Sequence, residues 1–294
     1  GSHLCLSRIY AQSFLNLDGT FFNEKNADGS YKTFVEECEG RDYRLAQMIR
    51  GPKYTWKVNG VYTRQAANFS SHTYSGYQFT KFVYDDQAYD DQSSGTYDDP
   101  LFRFAEVLLI YAEAKAELGQ MTNSDWAQTI GALRARAGIT GGLDTVPTVA
   151  DPLLVKMYGN LSPAVLEVRR ERTIELMDEN FRYYDIIRWK EGQCFLQKLY
   201  GIYIKGSGPQ DFDGDGKIDA YLKAADEGKA PAEYDKIDQF TIGKEIRLTE
   251  GDHGFITPYS DNYQHWNESR DYFYPIPTDD IQLTNGALVQ NPGW

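Results

Sequence analysis

The chain has 294 residues, of which 41% are hydrophobic and 25% are charged, as is typical of a folded protein and not of a disordered one. Its formal net charge is −13 and no segment concentrates Lys and Arg, which argues against nucleic acid or anionic lipid as a partner. A neutral ligand, a cation or another protein fits this charge better. Aromatic residues make up 14% of the chain, and Tyr and Trp suit both wet interfaces and surfaces that stack on sugars.

Residues 1–97 are predicted to form a loop-rich lobe, because they are rich in Gly, Asn, Ser, Asp and Tyr and contain only short apolar runs. Gly1-Ser2-His3 is typical of the remnant of a cleaved purification tag and is left out of the fold prediction. A short helix is expected after residues 40–42. Two aromatic runs with partial period-2 alternation, residues 54–58 and 77–83, are predicted strands.

The three cysteines give no strong structural signal. Cys5, Cys38 and Cys194 are odd in number and widely spaced, so they indicate neither a zinc site nor a disulfide framework. A single bridge between Cys5 and Cys38 in an oxidising compartment stays open. No run of apolar residues is long enough to predict a transmembrane helix.

Residues 98–294 are predicted to be mainly helical, with an irregular insertion at residues 200–270. Asp99 as the N-cap and Pro100 as the first helical residue predict a helix that ends before Gly119. Apolar residues at helical spacing predict its buried face. That face consists of Leu101, Phe104, Ala105, Leu108, Leu109, Ala112 and Ala116.

Three further helices follow. The second is expected from Thr122 to about Ala137, which makes a helical hairpin that resembles a tetratricopeptide repeat. The third begins at Ser162-Pro163 and the fourth covers about residues 181–196, so a second hairpin could stack on the first and bury its apolar face. The Arg and Glu residues of the third helix favour salt bridges on a solvated face over a catalytic site.

Four segments together resemble the SusD/RagB family. They are Pro100–Gly119, Leu133–Gly138, Glu167–Trp189 with its Arg-Arg-Glu-Arg run, and Tyr274–Pro277 followed by residues 280–281 and 289–293. Each segment alone is weak, but the four occur in the family's order over about two thirds of the chain. Family members are usually longer, with a lipid-anchoring cysteine and a further helical hairpin ahead of this region. The chain therefore resembles their C-terminal portion.

The resemblance implies a mainly α fold, an α-superhelix of tetratricopeptide-like hairpins with a loop-rich lobe and a few short strands. It implies a lipid-anchored protein on the outer face of the outer membrane that binds oligosaccharide or another nutrient without catalysis. The expected partner is a SusC-like, TonB-dependent transporter. One alternative is a helical-repeat scaffold that binds only protein. A weaker alternative is a glycoside hydrolase, although nothing singles out a pair of carboxylates for it.

A carboxylate-rich loop predicts a structural calcium ion. Its carboxylates occupy positions 1, 3, 5 and 9, with Gly at position 6, as in the opening of an EF-hand loop. The predicted ligands are Asp211, Asp213, Asp215, Lys217 through its carbonyl, and Asp219. At position 12, Leu222 replaces the usual Glu, so Asp226, Glu227 or water would have to substitute. The alternative is a solvated turn that binds no ion.

Aromatic residues on polar loops are the candidates for sugar binding, because rings can stack on sugar faces while amides and charged groups bind hydroxyls. The predicted ligand-binding residues are Tyr54, Trp56, Tyr62, Arg64, Phe69, Tyr74, Tyr263 and Trp266. Trp56 and Trp266 are the favoured ones. For each residue the alternative is packing against the helical scaffold.

Overall fold

The computed structural model of the protein describes residues 5–90, 96, 98, 100–257 and 264–294. Contacts group the chain into two units, of which the first comprises Gly1–Leu176 and Leu199–Pro258. The second comprises Met177–Lys198 and Tyr259–Trp294. The boundary predicted between a loop-rich lobe, residues 1–97, and a helical region, residues 98–294, stays a prediction.

The first unit is rich in helices and carries short strands. Its helices are α1 (Arg8–Ser13), α2 (Phe34–Cys38), α3 (Tyr43–Met48), α4 (Phe104–Glu117), α5 (Asn123–Trp126), α6 (Ala132–Arg136), α7 (Pro152–Tyr158) and α8 (Pro163–Glu175). A π-helical segment, Ala127–Gly131, joins α5 to α6. Its strands are β1 (Thr55–Val58), β2 (Val61–Arg64), β3 (Tyr203–Ile204), β4 (Gly208–Gln210), β5 (Ala220–Lys223), β6 (Asp238–Thr241) and β7 (Gly254–Phe255). A helix-rich fold is therefore confirmed, whereas the tetratricopeptide-like hairpins stay a prediction.

The strands form small sheets. β1 and β2 make an antiparallel hairpin in which Trp56 faces Thr63. β5 pairs with β4 in antiparallel and with β6 in parallel orientation. β3 and β7 form a separate antiparallel pair. The second unit contains α9 (Arg182–Trp189), a 3₁₀ turn (Gly192–Leu196) and α10 (Thr278–Leu283).

Helix-start signals in the sequence are confirmed where a side-chain cap forms. The Ser162 hydroxyl accepts a hydrogen bond from the Val165 N–H at 3.3 Å, and Pro163 is the first residue of α8. Likewise, the Thr122 hydroxyl caps α5. Each cap satisfies a backbone donor that would otherwise lack a partner within the helix.

The predicted start of α4 is wrong by several residues. Asp99 lies outside the described residues, and Pro100 precedes the helix, which begins at Phe104 with Arg103 as its N-cap. The Arg103 guanidinium binds the Glu175 carboxylate at 2.6 Å while its own backbone is extended. Leu101 is 86% exposed, so no burial would stabilise an additional turn.

The buried face of α4 is also narrower than predicted. Its buried apolar residues are three alanines and one leucine, namely Ala105, Leu109, Ala112 and Ala116. Leu101 and Phe104, predicted to be buried, are exposed together with other large apolar side chains. We call this exposed set the apolar row; it consists of Leu101, Phe102, Phe104, Val107, Ile110 and Leu118.

The strand predicted at residues 77–83 does not form. Gln78 makes a single β-bridge to Cys5, whereas Phe79 makes one to Ile49. Because the two residues pair with different segments, no continuous ladder develops. Cys5, Cys38 and Cys194 are free thiols, so the bridge left open between Cys5 and Cys38 is absent. Among the described residues, no helix combines the length and apolar character needed to cross a bilayer.

The charged side of α8 is buried, which corrects the prediction of a solvated face. Glu167, Arg170 and Glu171 are each at most 1% exposed. The predicted pair between Glu167 and Arg170 forms at 3.0 Å. Arg172 lies 3.4 Å from Glu113 of α4. A helix in this position requires a partner for every charge, because an unpaired buried charge is strongly unfavourable.

Arginines from other helices supply these partners. Arg44 of α3 binds Glu171 at 3.0 Å and Glu175 at 2.9 Å, and Arg134 of α6 binds Glu171 at 2.6 Å. Burial alone would raise the pKa of Glu175, but the attraction of Arg44 and further arginines outweighs it and lowers the pKa to about 2. Glu175 is therefore ionised at every physiological pH.

Replacing Glu171 by Gln should destabilise the protein by about 3–5 kcal/mol, because Arg44 and Arg134 would keep buried charges without their shared carboxylate. Urea unfolding followed by circular dichroism measures the change. The control is Lys244→Gln in an exposed ion pair, which should change stability by no more than about 0.5 kcal/mol. Equal effects of the two substitutions would contradict a structural role for the network.

Candidate functional site

A pocket of about 500 Å³ lies beside the β1–β2 hairpin. We call it the hairpin pocket. Its wall includes Arg41, Lys53, Tyr54, Arg64, Asp213 and Gly214, together with part of α3. It thus brings two predicted sugar-binding residues, Tyr54 and Arg64, next to a predicted metal ligand, Asp213.

Local hydrogen bonds build this wall. Asp42 caps α3 by accepting the Arg44 N–H at 2.9 Å, which fixes the turn that carries Arg41. At the end of β2, the Arg64 guanidinium donates to the Pro52 carbonyl at 2.6 Å and to the Asp213 carbonyl at 3.2 Å. Arg64 therefore holds the hairpin against the acidic loop.

Tyr54 and Trp56 are arranged around one arginine. The Arg50 guanidinium lies 4.9 Å from the Tyr54 ring centroid and 5.8 Å from that of Trp56. The Tyr54 hydroxyl donates to Asp85 at 2.7 Å. Burial, and then the Asp85 carboxylate, raise the pKa of Tyr54 above its ordinary value, so the hydroxyl stays protonated. Both rings are only half-buried and keep some surface in contact with water.

The other candidates in the first unit are divided between two places. Tyr62 is 63% exposed on β2, and both Tyr62 and Trp56 lie outside the wall of the hairpin pocket. Phe69 and Tyr74 line a second pocket of about 390 Å³ beside β6. The Phe69 ring packs on Phe212, with centroids 4.9 Å apart. Phe69 thus contributes to packing as well as to a cavity.

Trp266 belongs to the second unit, and Tyr263 lies outside the described residues. The Trp266 indole packs on Phe195 with centroids 5.1 Å apart and donates from Nε1 to Glu268 at 2.9 Å. It also covers Gly192, where an added Cβ would come within 2.0 Å of the ring. Trp266 is half-buried in these contacts, which is the packing role that sequence analysis left as its alternative.

Sequence analysis predicted Arg64 but missed the other basic residues at the hairpin pocket. Arg41 and Lys53 line it, and Arg50 supports the two aromatic rings. A signal was present, because residues 50–53 place two basic side chains directly before the predicted aromatic strand. It was weak, since isolated Arg and Lys residues are common on protein surfaces.

The acidic loop joins β4 to β5. Carboxylate oxygens of Asp211, Asp213 and Asp215 lie within 4.8 Å of one another. Asp211 also accepts the Gly214 N–H at 2.7 Å and the Gly216 N–H at 2.8 Å. These two glycines have positive φ values of 70° and 85°, which other residues rarely adopt. Three of the five predicted ligands are therefore gathered by the fold of the loop.

The other two predicted ligands lie outside this cluster of three carboxylates. Asp219 accepts the Phe212 N–H at 2.7 Å, whereas the Lys217 carbonyl stays a predicted ligand; the amine of Lys217 lies 3.0 Å from an oxygen of Asp215. Burial, and then the neighbouring Asp213 charge, raise the pKa of Asp219 to about 6. Burial likewise raises the pKa of Asp213. A hard cation would relieve this crowding of negative charge, so the donor set fits calcium.

Position 12 of the loop offers no carboxylate. Leu222 is fully buried in β5, and Glu227 instead accepts the Tyr221 hydroxyl at 2.9 Å and the Ala224 N–H at 3.0 Å. Glu227 is therefore engaged in the turn after β5. Water would have to replace the bidentate ligand of a full EF-hand loop, which favours weak binding.

The family profile of the SusD family matches residues 1–294, and the chain therefore belongs to the SusD family. This confirms the resemblance seen in the sequence. Among solved structures, a SusD-like protein from Bacteroides fragilis NCTC 9343 is similar with a TM-score of 0.61 and 20% identity, over 99% of this chain and 47% of that chain. A SusD-like carbohydrate binding protein from the same strain has a TM-score of 0.55 and 21% identity, over 96% of this chain and 50% of that chain.

The chain spans about half the length of these solved structures. At this level of identity the likeness shows a shared fold and does not transfer a ligand. No curated protein matches the sequence.

Calcium should bind the acidic loop in the millimolar to micromolar range, and Asp213→Asn should remove the binding because it deletes one of the three clustered carboxylates. Isothermal calorimetry measures it. Affinity should fall as the pH drops through about 6, where Asp219 takes up a proton. The control is Asp252→Asn, an exposed carboxylate elsewhere, which should bind calcium normally. No heat at millimolar calcium would reject the ion and leave a solvated turn.

Proposed function

We propose that the protein captures glycans at the cell surface by binding, without bond chemistry. The observation that carries this proposal is the hairpin pocket, where an aromatic ring and several polar groups line one cavity in a member of the SusD family. Carbohydrate sites require this combination, because flat apolar faces stack on sugar rings while polar groups bind hydroxyls.

The residues of the pocket suit these two tasks. Tyr54 provides a ring held in place by its hydrogen bond to Asp85, so little entropy is lost when a sugar stacks on it. Arg64 is fixed at the pocket wall by its bonds to backbone carbonyls. Trp56 adds a second aromatic ring outside the pocket wall, and the Arg50 guanidinium lies 5.8 Å from its centroid. The fold shared with a SusD-like carbohydrate binding protein supports a carbohydrate as the class of ligand, and not these individual residues.

Glycan binding should change the tryptophan fluorescence, and Trp56→Ala should abolish that change because Trp56 lies on β1, the strand that follows Tyr54 of the pocket wall. A glycan array selects the oligosaccharide, which is then titrated against both proteins. The control is Trp294→Phe in the second unit, which should keep the signal.

Unchanged affinity and signal in Trp56→Ala would remove this residue from the site. A strictly blank array would favour the alternative of a scaffold that binds only protein. Release of reducing sugar from any polysaccharide would instead favour a glycoside hydrolase.

The proposal includes a partner, a SusC-like TonB-dependent transporter, and a lipid-anchored position of the full-length protein at the outer membrane. Family membership supports both. The apolar row adds a surface suited to protein contact, since Phe102 just before α4 and Phe104 at its start are 80% and 72% exposed. Exposed patches of large apolar side chains mark interaction surfaces.

Replacing Val107 and Ile110 by Ser should weaken co-purification with the transporter by about tenfold or more, because each buried aliphatic side chain contributes about 1.5–3 kcal/mol. Quantitative pull-down of the co-expressed transporter measures it. The control is Ala114→Ser, an exposed position of α4 outside the apolar row. If the double variant retained the transporter but lost thermal stability, the apolar row would be an internal contact of the longer protein.

A further inference from the structure

The second pocket of the first unit contains more aromatic rings than the hairpin pocket. We call it the β6 pocket; it has a volume of about 390 Å³, and its described lining shares no residue with that of the hairpin pocket. Phe69, Tyr74 and Phe240 line it, whereas Tyr54 is the one aromatic residue in the described lining of the hairpin pocket. The β6 pocket therefore meets the aromatic requirement for a carbohydrate site.

The rings of the β6 pocket are held in place before any ligand binds. The centroids of the Phe69 and Phe240 rings lie 6.2 Å apart in an edge-to-face arrangement. Tyr74 lies in a turn that the Thr73 hydroxyl stabilises by accepting the Gly76 N–H at 3.1 Å. The Tyr74 side chain is 46% exposed, so its ring is accessible to a ligand. A ring that is already ordered loses little entropy when a sugar stacks on it.

Two segments that follow strands complete the apolar part of the pocket. Ile246 and Ile256 line it and are 6% and 2% exposed. After β6 the chain turns sharply, because the Gly243 N–H donates to the Ile246 carbonyl at 2.7 Å and Gly243 has a φ of 87°. After β7 the Thr257 N–H donates to the Arg247 carbonyl at 2.9 Å. Backbone hydrogen bonds thus fix this wall.

Charged side chains of both signs also line the β6 pocket. The Lys244 amine lies 3.4 Å from the Glu245 carboxylate, and the exposed Arg247 adds a second cation. The Thr241 N–H donates to Glu245 at 2.7 Å and holds the pKa of that carboxyl below its ordinary value, so it accepts hydrogen bonds at neutral pH. Lys and Arg only donate, whereas an ionised Glu only accepts. The lining can therefore bind sugar hydroxyls, which do both.

We propose that the β6 pocket is a second carbohydrate site, which binds a short stretch of sugar rings independently of the hairpin pocket; this inference rests on the proposed function. The ring of Tyr74 stacks on a sugar face, while Glu245 and Arg247 bind hydroxyls. The stretch is short because the pocket volume lies near the lower end of the range for ligand sites, which is about 300–1,000 Å³.

The test reads an array of short oligosaccharides with the unchanged protein, with Tyr74→Ala and with Tyr54→Ala. Tyr74→Ala should lower affinity about threefold to tenfold for the oligosaccharides that occupy the β6 pocket, because it deletes the exposed stacking ring. Tyr54→Ala should leave these same oligosaccharides bound, since Tyr54 does not line the β6 pocket. Equilibrium dialysis of each selected oligosaccharide measures its affinity.

Further variants separate stacking from an effect on the fold. Tyr74→Phe keeps the ring and should bind as the unchanged protein does, whereas a loss equal to that of Tyr74→Ala would overturn the stacking role. Arg247→Gln removes an exposed side chain and should weaken the same oligosaccharides. The matched control is Tyr111→Ala on α4, which is 45% exposed, lines neither pocket and should have no effect. Circular dichroism of each variant establishes that it is folded.

The outcomes also separate this inference from the proposed function. If every bound oligosaccharide kept its affinity in Tyr74→Ala, the β6 pocket would not be a site, while glycan capture would stand. Equal losses of the same oligosaccharides in Tyr74→Ala and Tyr54→Ala would overturn the independence of the two pockets. An array that stays blank with the unchanged protein would overturn both the second site and glycan capture.

Discussion

Buried charge on α8 is the constraint on which the first unit depends. Glu171 is fully buried, and it is stable there only because arginines from α3 and α6 share it. The need to pair Glu171 also fixes the position of α3, because its partner Arg44 lies in the first turn of that helix and is held there by Asp42. That turn also carries Arg41 into the wall of the hairpin pocket. Electrostatic matching in the core thus positions part of the candidate site.

The pocket combines charges of both signs in a chain that is acidic overall. Its described lining includes three carboxylates and three cations. Arg41 and Arg64 donate to backbone carbonyls, which accept hydrogen bonds without carrying a charge, and Asp213 belongs to the acidic loop. The hairpin pocket and the acidic loop adjoin each other, since Arg64 at the end of β2 donates a hydrogen bond to the Asp213 carbonyl.

Local signals predicted the starts of α5 and α8, whereas the predicted start of α4 was wrong. Ser162 and Thr122 specify helix starts through bonds to residues three positions away, so the sequence contains both partners. The exposed row of α4 could not be predicted, because apolar spacing does not say which face meets a neighbour. Of the predicted aromatic residues, Tyr54 lines one pocket and Phe69 and Tyr74 line another. Trp56 and Tyr62 line neither of these pockets, and Trp266 belongs to the second unit. The position of Arg41 depends on hydrogen bonds to residues 27 and 30 positions away in the chain, which local signals do not reveal.

Buried polar contacts of α8 join residues that lie far apart in the sequence, and this separation affects how the chain folds. Arg170 donates to the Ser13 carbonyl across 157 positions, and Arg44 binds Glu171 across 127 positions. Contacts this remote form only after long loops have closed, which is slow. Until then α8 carries charges that must remain hydrated. Folding of the first unit should therefore be slow and strongly cooperative, with α8 dehydrating in its final stage.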